Sequence, residues 1–182
     1  MIDRALLARL RIEPLDRARH DRAAFSCGVE RVNNFLQKTC ARHQDEDHTR
    51  VRVACLDDSN IIIGFHALNS HSIDATKLPE SARKKMPSYP TISAIYLSVV
   101  GVHENHQNSG IGSFLMADAF RTAVKVADLI GSHLLVLDAL NERAAALYRK
   151  LNFVDLPGHA PRMIIRMAQV RKAVHAAGQK RA

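Results

Sequence analysis

The sequence predicts an α/β domain with a mixed β-sheet, and three features carry this prediction. An apolar run, Ile92–Val102, leads through a glycine-containing turn into a long helical pattern. A second apolar strand followed by a helix lies at His133–Phe153. Two apolar runs further upstream are separated by a short polar turn, which is typical of a β-hairpin. Strand–helix units combined with a hairpin indicate a sheet with both parallel and antiparallel strands.

The N-terminal half supplies a strand, a helix and the hairpin. Leu10–Pro14 is the first predicted strand. The hairpin strands are Arg50–Leu56 and Asn60–Leu68, on either side of a polar turn that begins at Asp57. Between the first strand and the hairpin, residues 29–45 are predicted to be helical because their apolar side chains recur at helical spacing. These side chains are Val32, Phe35, Leu36 and Cys40.

The C-terminal half completes the sheet. Residues 74–90 are polar, basic and proline-containing, so we expect them to cross the surface. After the central strand come a helix to about Ile130, a strand at His133–Ala139, a helix around Tyr148 and a last strand at Met163–Met167. Because no repeat or linker interrupts this order, residues 1–169 are predicted to form one domain and residues 170–182 a basic tail.

Length and composition agree with one cytoplasmic domain. A chain of 182 residues can bury a sizeable core as a single domain. No apolar run approaches the roughly 20 residues that span a membrane, and the N-terminus lacks a signal-peptide pattern. The cysteines Cys27, Cys40 and Cys55 show no C-x-x-C spacing, so we expect free thiols in a reducing compartment.

The segment Gln107–Gly112, which we call the phosphate turn, joins the central strand to a helix. The amides of a first helical turn and the helix dipole together favour an anion. Gly110 and Gly112 allow the backbone to approach a pyrophosphate closely. The dinucleotide fingerprint needs a third glycine where this chain has Leu115, so a Rossmann domain is disfavoured.

The helix around Tyr148 is the second candidate site. Asn141, Ala144 and Tyr148 lie on one helical face, and Asn141 is well placed to cap the helix. Asn152 stands where a glycine commonly closes a helix, in a conformation that asparagine tolerates. This helix alone permits two interpretations of Tyr148: a core tyrosine whose hydroxyl bonds to the backbone, or a reactive side chain.

Histidine is plentiful, but no metal site is predicted. The run His103–His106 does not have the H-E-x-x-H spacing, and it lies in the loop before the phosphate turn rather than on a helix. The other histidines considered are too scattered to form a site: His43, His48, His66 and His71.

The two candidate segments together resemble a known family. The phosphate turn reads Q-x-x-G-x-G, and the later helix reads N-x-x-A-x-x-x-Y and ends in Asn152-Phe153. This pair resembles the GNAT family of acetyl-CoA-dependent N-acetyltransferases, whose sheet is mixed and mostly antiparallel, flanked by helices. The resemblance implies that Tyr148 is the general acid beside the thioester sulfur. It also implies that acetyl-CoA is bound by Val100, Gly101, Val102, Gln107, Asn108, Ser109, Gly110, Ile111, Gly112 and Asn141.

The N-terminal half narrows the resemblance. The runs Phe25–Gly28, Val32–Leu36, Ile63–Leu68 and Met86–Pro90 resemble the GNAT toxins of bacterial toxin–antitoxin pairs. This likeness implies acetylation of the α-amino group of aminoacyl-tRNA, which blocks translation. It also implies silencing by a ribbon-helix-helix antitoxin, contact with DNA only through the antitoxin complex, and a possible homodimer. The chain departs from the usual pattern where Asn108 and Asn152 replace glycines.

The charge balance supports a polyanionic partner. The chain has 26 lysines and arginines against 18 acidic residues, a formal net charge of +8. Such an excess speeds association with nucleic acid. The predicted tRNA contacts are Arg83, Lys84 and Lys85, with Arg50 and Arg52 behind them. Because aromatic residues are few, we expect recognition of phosphate and shape rather than of base sequence.

The expected mechanism follows from the pKa of the attacking amine. A lysine side chain with a pKa near 10.4 would need an enzymic base, whereas an α-amino group near 7.7 to 8.0 is already partly free at neutral pH. Glu104 and Asp138 are conceivable bases, but neither is placed convincingly by the motifs. We therefore predict direct attack on the bound thioester, with Tyr148 protonating the leaving thiolate.

Two alternatives share part of this pattern. A GNAT acetyltransferase for a small amine or a protein N-terminus would use the same cofactor motifs and would turn over without RNA. A non-enzymatic module that binds acyl-CoA or nucleic acid would be insensitive to Tyr148→Phe.

Overall fold

A computed structural model describes residues 4–57, 59–78, 80 and 89–179 of the chain. Seven strands form one sheet in the order β1-β2-β3-β4-β5-β7-β6. The strands are β1 (Leu10–Pro14), β2 (Arg50–Leu56), β3 (Gly64–Asp74), β4 (Thr91–Val102), β5 (Leu134–Asp138), β6 (Val154–Asp155) and β7 (Arg162–Arg166). The helices are α1 (Arg4–Ala8), α2 (Glu30–Asn34), α3 (Cys40–Asp45), α4 (Ile111–Ile130), α5 (Glu142–Lys150) and α6 (Met167–Gln179), with a π-helix at Phe35–Thr39 and 3₁₀ turns at Ala75–Lys77 and Glu104–His106.

The predicted mixed and mostly antiparallel sheet is confirmed. Strand β2 pairs antiparallel with both β1 and β3, and β7 pairs antiparallel with both β5 and β6. Strands β4 and β5 pair in parallel, with Ala94 opposite Leu134 and Leu97 opposite Leu137. Among the described helices, none is both long and apolar enough to cross a membrane.

The chain divides into two compact units, whose boundaries fall within β3, β4 and α4. The first comprises Met1–Asn69 and Ser98–Ala119, and the second Ser70–Leu97 and Phe120–Ala182.

In the first unit the sheet is covered on both faces. Side chains of β2 alternate between the two faces, as a strand requires. Val51, Val53 and Cys55 are fully buried in a cluster with residues of α2 and the following helical turns. Ala54, on the other face, packs in a cluster with Ile111, from the first turn of α4. The beginning of α4, and with it the phosphate turn, is thereby held against the sheet.

In the second unit β5 is buried on both faces. All four residues of Leu134–Leu137 are buried, which is typical of a strand in parallel pairing. Val136 packs with Ala94 and Ile164 on one face. Helix α5 is attached to the unit through Phe153, whose ring lies 6.1 Å from that of Phe120.

Most predicted elements are confirmed, with three differences. The predicted helix at residues 29–45 contains a π-helical turn, Phe35–Thr39, in its middle. The second hairpin strand was predicted too early: β3 begins at Gly64, and Ile61 is half exposed in the preceding loop. Residues 170–179 of the predicted tail belong to helix α6, which begins at Met167, before the predicted boundary at residue 169, and buries Val170.

Candidate active site

The phosphate turn lies between the end of β4 and the start of α4, in the first unit. The backbone N–H groups from Asn108 to Gly112 donate to no acceptor in the described part of the chain. Asn108 and Gly110 have positive φ angles of 63° and 101°, so the chain turns sharply here. Five consecutive unbonded amides at the N-terminus of a 20-residue helix are suited to an anion.

Side chains hold the phosphate turn in shape. Gln107 Nε2 donates to the carbonyls of Cys27, at 3.0 Å, and Val102, at 3.1 Å. Ser109 Oγ donates to the His106 carbonyl at 2.5 Å. The N–H of Gln107 donates to the Glu104 carbonyl, so this amide, unlike the five that follow, is already bonded. Gln107 therefore anchors the turn to its surroundings.

The end of β4 is tightly packed at Gly101. A Cβ on this glycine would lie 2.9 Å from Phe65 Cε1 and 3.0 Å from Val32 Cγ1, so a larger residue would force its neighbours apart. Val100 and Val102 are half-buried and pack against the cluster that contains Ile111. The residues expected to hold the acyl arm thus adjoin the phosphate turn.

Tyr148 lies on α5, in the second unit, and the end of that helix fixes its position. The N–H groups of Phe153 and Asn152 donate to the carbonyls of Tyr148 and Arg149 at 3.1 and 3.0 Å, a Schellman motif. Asn152 has the predicted left-handed conformation, with φ of 68°. The Phe153 ring packs 5.8 Å from the Tyr148 ring.

The Tyr148 hydroxyl is available for chemistry. No described residue forms a hydrogen bond with it, and burial raises the pKa of the phenol. The hydroxyl is therefore protonated at neutral pH and can donate. At the other end of the helix, the Asn141 side-chain oxygen accepts from the Ala144 N–H at 2.9 Å, which confirms the predicted cap. Its role in binding acetyl-CoA remains a prediction.

Asp138 is not free to act as a base. Arg162 binds its carboxylate through two nitrogens, at 2.8 and 3.0 Å, and the Tyr96 hydroxyl donates to it at 2.9 Å. These contacts, with that of Arg162 the strongest, lower the pKa of Asp138. Glu104 is exposed in the 3₁₀ turn before the phosphate turn.

A buried polar cluster in the first unit was missed by the sequence analysis. Asp118, on α4, accepts from Arg52 Nε at 2.6 Å and bonds to His66 Nε2 at 2.9 Å. Burial would raise the pKa of Asp118, but the bonds to His66 and Arg52 prevail and lower it to about 2. Arg52 and His66 are opposite each other in the β2–β3 pairing, so the cluster ties α4 to two strands. Strand alternation could have placed both on one face, but it could not identify Asp118.

The structure separates the two predicted RNA-binding arginines. Arg50 is exposed and pairs with Asp47, whereas Arg52 is largely covered and held by Asp118 and by the Ile12 carbonyl, at 3.2 Å. The other predicted contacts, Arg83, Lys84 and Lys85, lie outside the described residues.

Within the part of the chain that the structure describes, one group of potential metal ligands is found, and its members already contact other protein groups. Glu13, His20 and Cys55 bring ligand atoms within 4.8 Å of one another. His20 Nδ1 accepts from the Asp16 N–H, and its Nε2 bonds to Glu13 at 3.0 Å. Arg19 also binds Glu13, and burial raises the pKa of the Cys55 thiol to about 11. The contacts of Glu13 and His20 with neighbouring protein groups indicate that this cluster stabilises the fold.

Comparison with known proteins defines the class of this chain. The family model described as an acetyltransferase (GNAT) domain matches residues 47–155. The chain belongs to the GNAT family and is an acetyl-CoA-dependent N-acetyltransferase.

Particular relatives are similar over most of their length. The probable toxin TacT of Sinorhizobium fredii is 39% identical over 167 residues, 88% of this chain and 92% of the relative. The tRNA-acetylating toxin of Mycobacterium tuberculosis is 29% identical over 154 residues, 85% of this chain and 90% of the relative. The solved structure of AtaT with acetyl-methionyl-tRNA has a TM-score of 0.82 at 27% identity and covers 90% of this chain and 98% of its own.

Proposed function

We propose that this enzyme is a toxin that transfers the acetyl group of acetyl-CoA to the α-amino group of aminoacyl-tRNA and so blocks translation. The observation that carries the proposal is the similarity to a tRNA-acetylating toxin along nearly the whole chain, including the N-terminal half. AtaT, which has the same fold, is known in complex with acetyl-methionyl-tRNA. The family's cofactor motifs alone would not distinguish this substrate from a small amine.

The phosphate turn suits the pyrophosphate of acetyl-CoA. Five unbonded amides and the positive end of α4 offer hydrogen bonds and a favourable field to a doubly charged anion. When bound, acetyl-CoA supplies an activated thioester. We propose that backbone amides near Val102 polarise its carbonyl oxygen, as in an oxyanion hole. An AtaTR structure contains acetyl-CoA, which supports this role for the shared fold.

The state of Asp138 supports direct attack by the amine. Its carboxylate is bonded to Arg162 and Tyr96, and a lowered pKa makes it a weak base. A substrate with an amine pKa near 7.7 to 8.0 needs no enzymic base, because part of it is deprotonated at neutral pH. An α-amino group meets this condition, whereas a lysine side chain does not.

We propose that Tyr148 donates a proton to the departing thiolate. Two observations support this role: the hydroxyl has no partner among the described residues, and the pKa of the phenol is raised, so the proton is retained until the leaving group develops charge. A core tyrosine tied to the backbone would have a bonded hydroxyl instead.

The partners belong to the same proposal. AtaT has been solved with the C-terminus of its antitoxin AtaR, and KacTA with DNA. We propose that this chain likewise pairs with an antitoxin, of the ribbon-helix-helix type, that contacts DNA, and that it acts as a homodimer in the cytoplasm, where its substrate is found. Arg83, Lys84, Lys85 and Arg50 are the proposed tRNA contacts. Arg52 is omitted because Asp118 already binds its guanidinium.

Transfer of labelled acetyl from acetyl-CoA to a mixed pool of charged tRNA tests the substrate. We expect label on charged tRNA and none on uncharged tRNA, because only the former carries an α-amino group. Free amino-acid amides and peptides with unblocked N-termini are the competing acceptors in the same assay. Efficient labelling of these acceptors, with no label on charged tRNA, would replace the toxin proposal with the small-amine or N-terminal alternative.

A further inference from the structure

An open groove runs beside the π-helical turn of the first unit. It has a volume of about 510 Å³ and is lined by Glu30, Arg31, Asn34, Phe35 and Thr39. π-helical turns are uncommon and are frequently found at functional sites.

The groove is connected to the acyl-binding strand through aromatic rings. Phe35 stacks on Phe65 with ring centroids 6.1 Å apart and an interplanar angle of 14°. Phe65 in turn lies against Gly101, where an added Cβ would be 2.9 Å from its Cε1. One phenylalanine ring therefore separates the groove from the backbone expected to hold the acetyl carbonyl.

Two of the polar side chains at the groove, those of Arg31 and Asn34, are not engaged elsewhere in the described part of the chain, whereas the Thr39 hydroxyl donates to the Phe35 carbonyl at 3.2 Å. Arg31 is exposed, and within the described ranges it has no salt-bridge partner, unlike Arg50 and Arg52. The Asn34 side chain likewise forms no hydrogen bond with any described residue. An aromatic ring with a free guanidinium and a free amide beside it matches the chemistry of a nucleotide. A ring can stack on a base, an amide can bind the edge of adenine, and a guanidinium can bind phosphate.

We propose that this groove binds the 3′-terminal adenosine of aminoacyl-tRNA. Phe35 stacks on the adenine, Asn34 bonds to the edge of the base, and Arg31 contacts the adjacent phosphate. Most of the exposed surface of the groove is apolar, which suits stacking on the face of a base, and Arg31 and Asn34 supply polar contacts that an apolar amino-acid side chain could not use. The inference rests on the proposed function, because it assigns a part of that substrate to a part of the protein.

Binding of an amide-linked aminoacyl-adenosine tests the groove without tRNA and without turnover. We expect Phe35→Leu to weaken binding of this mimic roughly tenfold or more, since loss of one base–aromatic stack has an effect of this order. Asn34→Ala should also weaken it several-fold, and this change breaks no side-chain hydrogen bond to a described residue. Arg31→Ala should lower kcat/KM for charged tRNA, which has the phosphate that the mimic lacks. Lys38→Ala is the matched control: Lys38 is exposed on the same helical segment but does not line the groove.

The two proposals fail in different ways. Unchanged binding of the mimic by both Phe35→Leu and Asn34→Ala, or no binding by the wild-type protein, would overturn the groove assignment even if charged tRNA is acetylated. Failure to acetylate charged tRNA would overturn the proposed function. Binding of the mimic by the wild type and the variants would still show whether the groove binds adenosine. We expect each variant to bind acetyl-CoA with the affinity of the wild type. This result would show that the fold of the variant is intact.

Discussion

The phosphate turn and helix α5 differ in which part of the chain they offer to a ligand. In the turn the backbone is exposed: five N–H groups are unbonded, while the side chains of Gln107 and Ser109 bond to nearby carbonyls. In α5 the opposite holds. Each end of the helix has a cap: the Asn141 side chain accepts from the Ala144 N–H, and the Phe153 N–H donates to the Tyr148 carbonyl. The group that α5 offers to a ligand is a side chain, the Tyr148 hydroxyl, which has no partner among the described residues.

This difference predicts different tolerance to substitution. A backbone site depends on conformation, so Asn108 can replace the glycine usual in the family because it accepts a φ of 63°. A side-chain site depends on one functional group, and no change of conformation can replace it. Substitutions at Tyr148, Asp118, Gly110, Asn108 and Asn152 test this contrast.

The largest effect is expected at Tyr148. Tyr148→Phe keeps the ring packed on Phe153 but removes the proposed proton donor, so kcat should fall by about 100- to 10,000-fold. Acetyl-CoA affinity should be unchanged, which isothermal titration calorimetry can measure alongside turnover. Tyr89→Phe, at an exposed tyrosine, is the control. Full activity of the Tyr148→Phe protein would show that catalysis does not need the tyrosine hydroxyl and that the backbone amides of the phosphate turn are sufficient.

Asp118 is expected to have the next largest effect, through the helix that carries the phosphate turn. Its pKa is lowered to about 2, from about 3.9 in an unfolded chain, so the carboxylate stabilises the fold above pH 4 and this contribution is lost as pH falls from about 4 to 2. Asp118→Asn should lower the free energy of unfolding at pH 7 by about 2 kcal/mol or more.

Urea unfolding between pH 2 and 7 measures this effect. The wild-type stability should decline across the acid range, and the Asp118→Asn protein should decline less. Asp45→Asn removes an exposed pair with Arg17 and should change stability by less than about 1 kcal/mol. Equal pH profiles for the wild type and the Asp118 variant would contradict the assignment.

A smaller effect is expected from a substitution that strains the backbone of the phosphate turn. Gly110 has a φ of 101°, so Gly110→Val should distort the amides and weaken acetyl-CoA binding roughly tenfold. Asn108→Gly should leave the affinity nearly unchanged, because glycine adopts the same conformation. Equal affinity of the two variants for acetyl-CoA would show that the backbone conformation of the phosphate turn does not determine binding.

The smallest effect is expected at the C-terminus of α5. Asn152→Gly should stabilise the protein by about 0.5 kcal/mol, since glycine accepts a positive φ without a side-chain penalty. Asn152→Val should destabilise it and, by displacing Phe153, should also lower kcat. Thermal unfolding of both variants measures the effect of residue 152 on stability, and turnover measures its effect on catalysis. An unchanged kcat for Asn152→Val would show that the helix cap does not position Tyr148.

Local patterns were sufficient for most elements and for the phosphate turn. The boundaries of β1 and β2 and the end of α4 follow from hydrophobic periodicity, which is a property of short segments. The start of β3 does not, because Asn60–Ile63 is as apolar as a strand yet lies in a loop, with the Asn60 carbonyl bonded to Asp21. That contact joins segments far apart in sequence, and no local pattern reports it.

The sequence alone was enough to identify the family and to propose the backbone site and the tyrosine, because glycine spacing, helix caps and the tyrosine-containing helix motif are local. Which side chains are free depended on the tertiary structure. Arg52 and Arg50 look equivalent in the sequence, but only Arg52 meets Asp118, 66 residues away. Asp138 resembled a base until its contact with Arg162, 24 residues later, removed it from consideration. Charge and hydrogen-bonding state are set by neighbours that folding brings together, and so they could not be predicted from residue type or spacing.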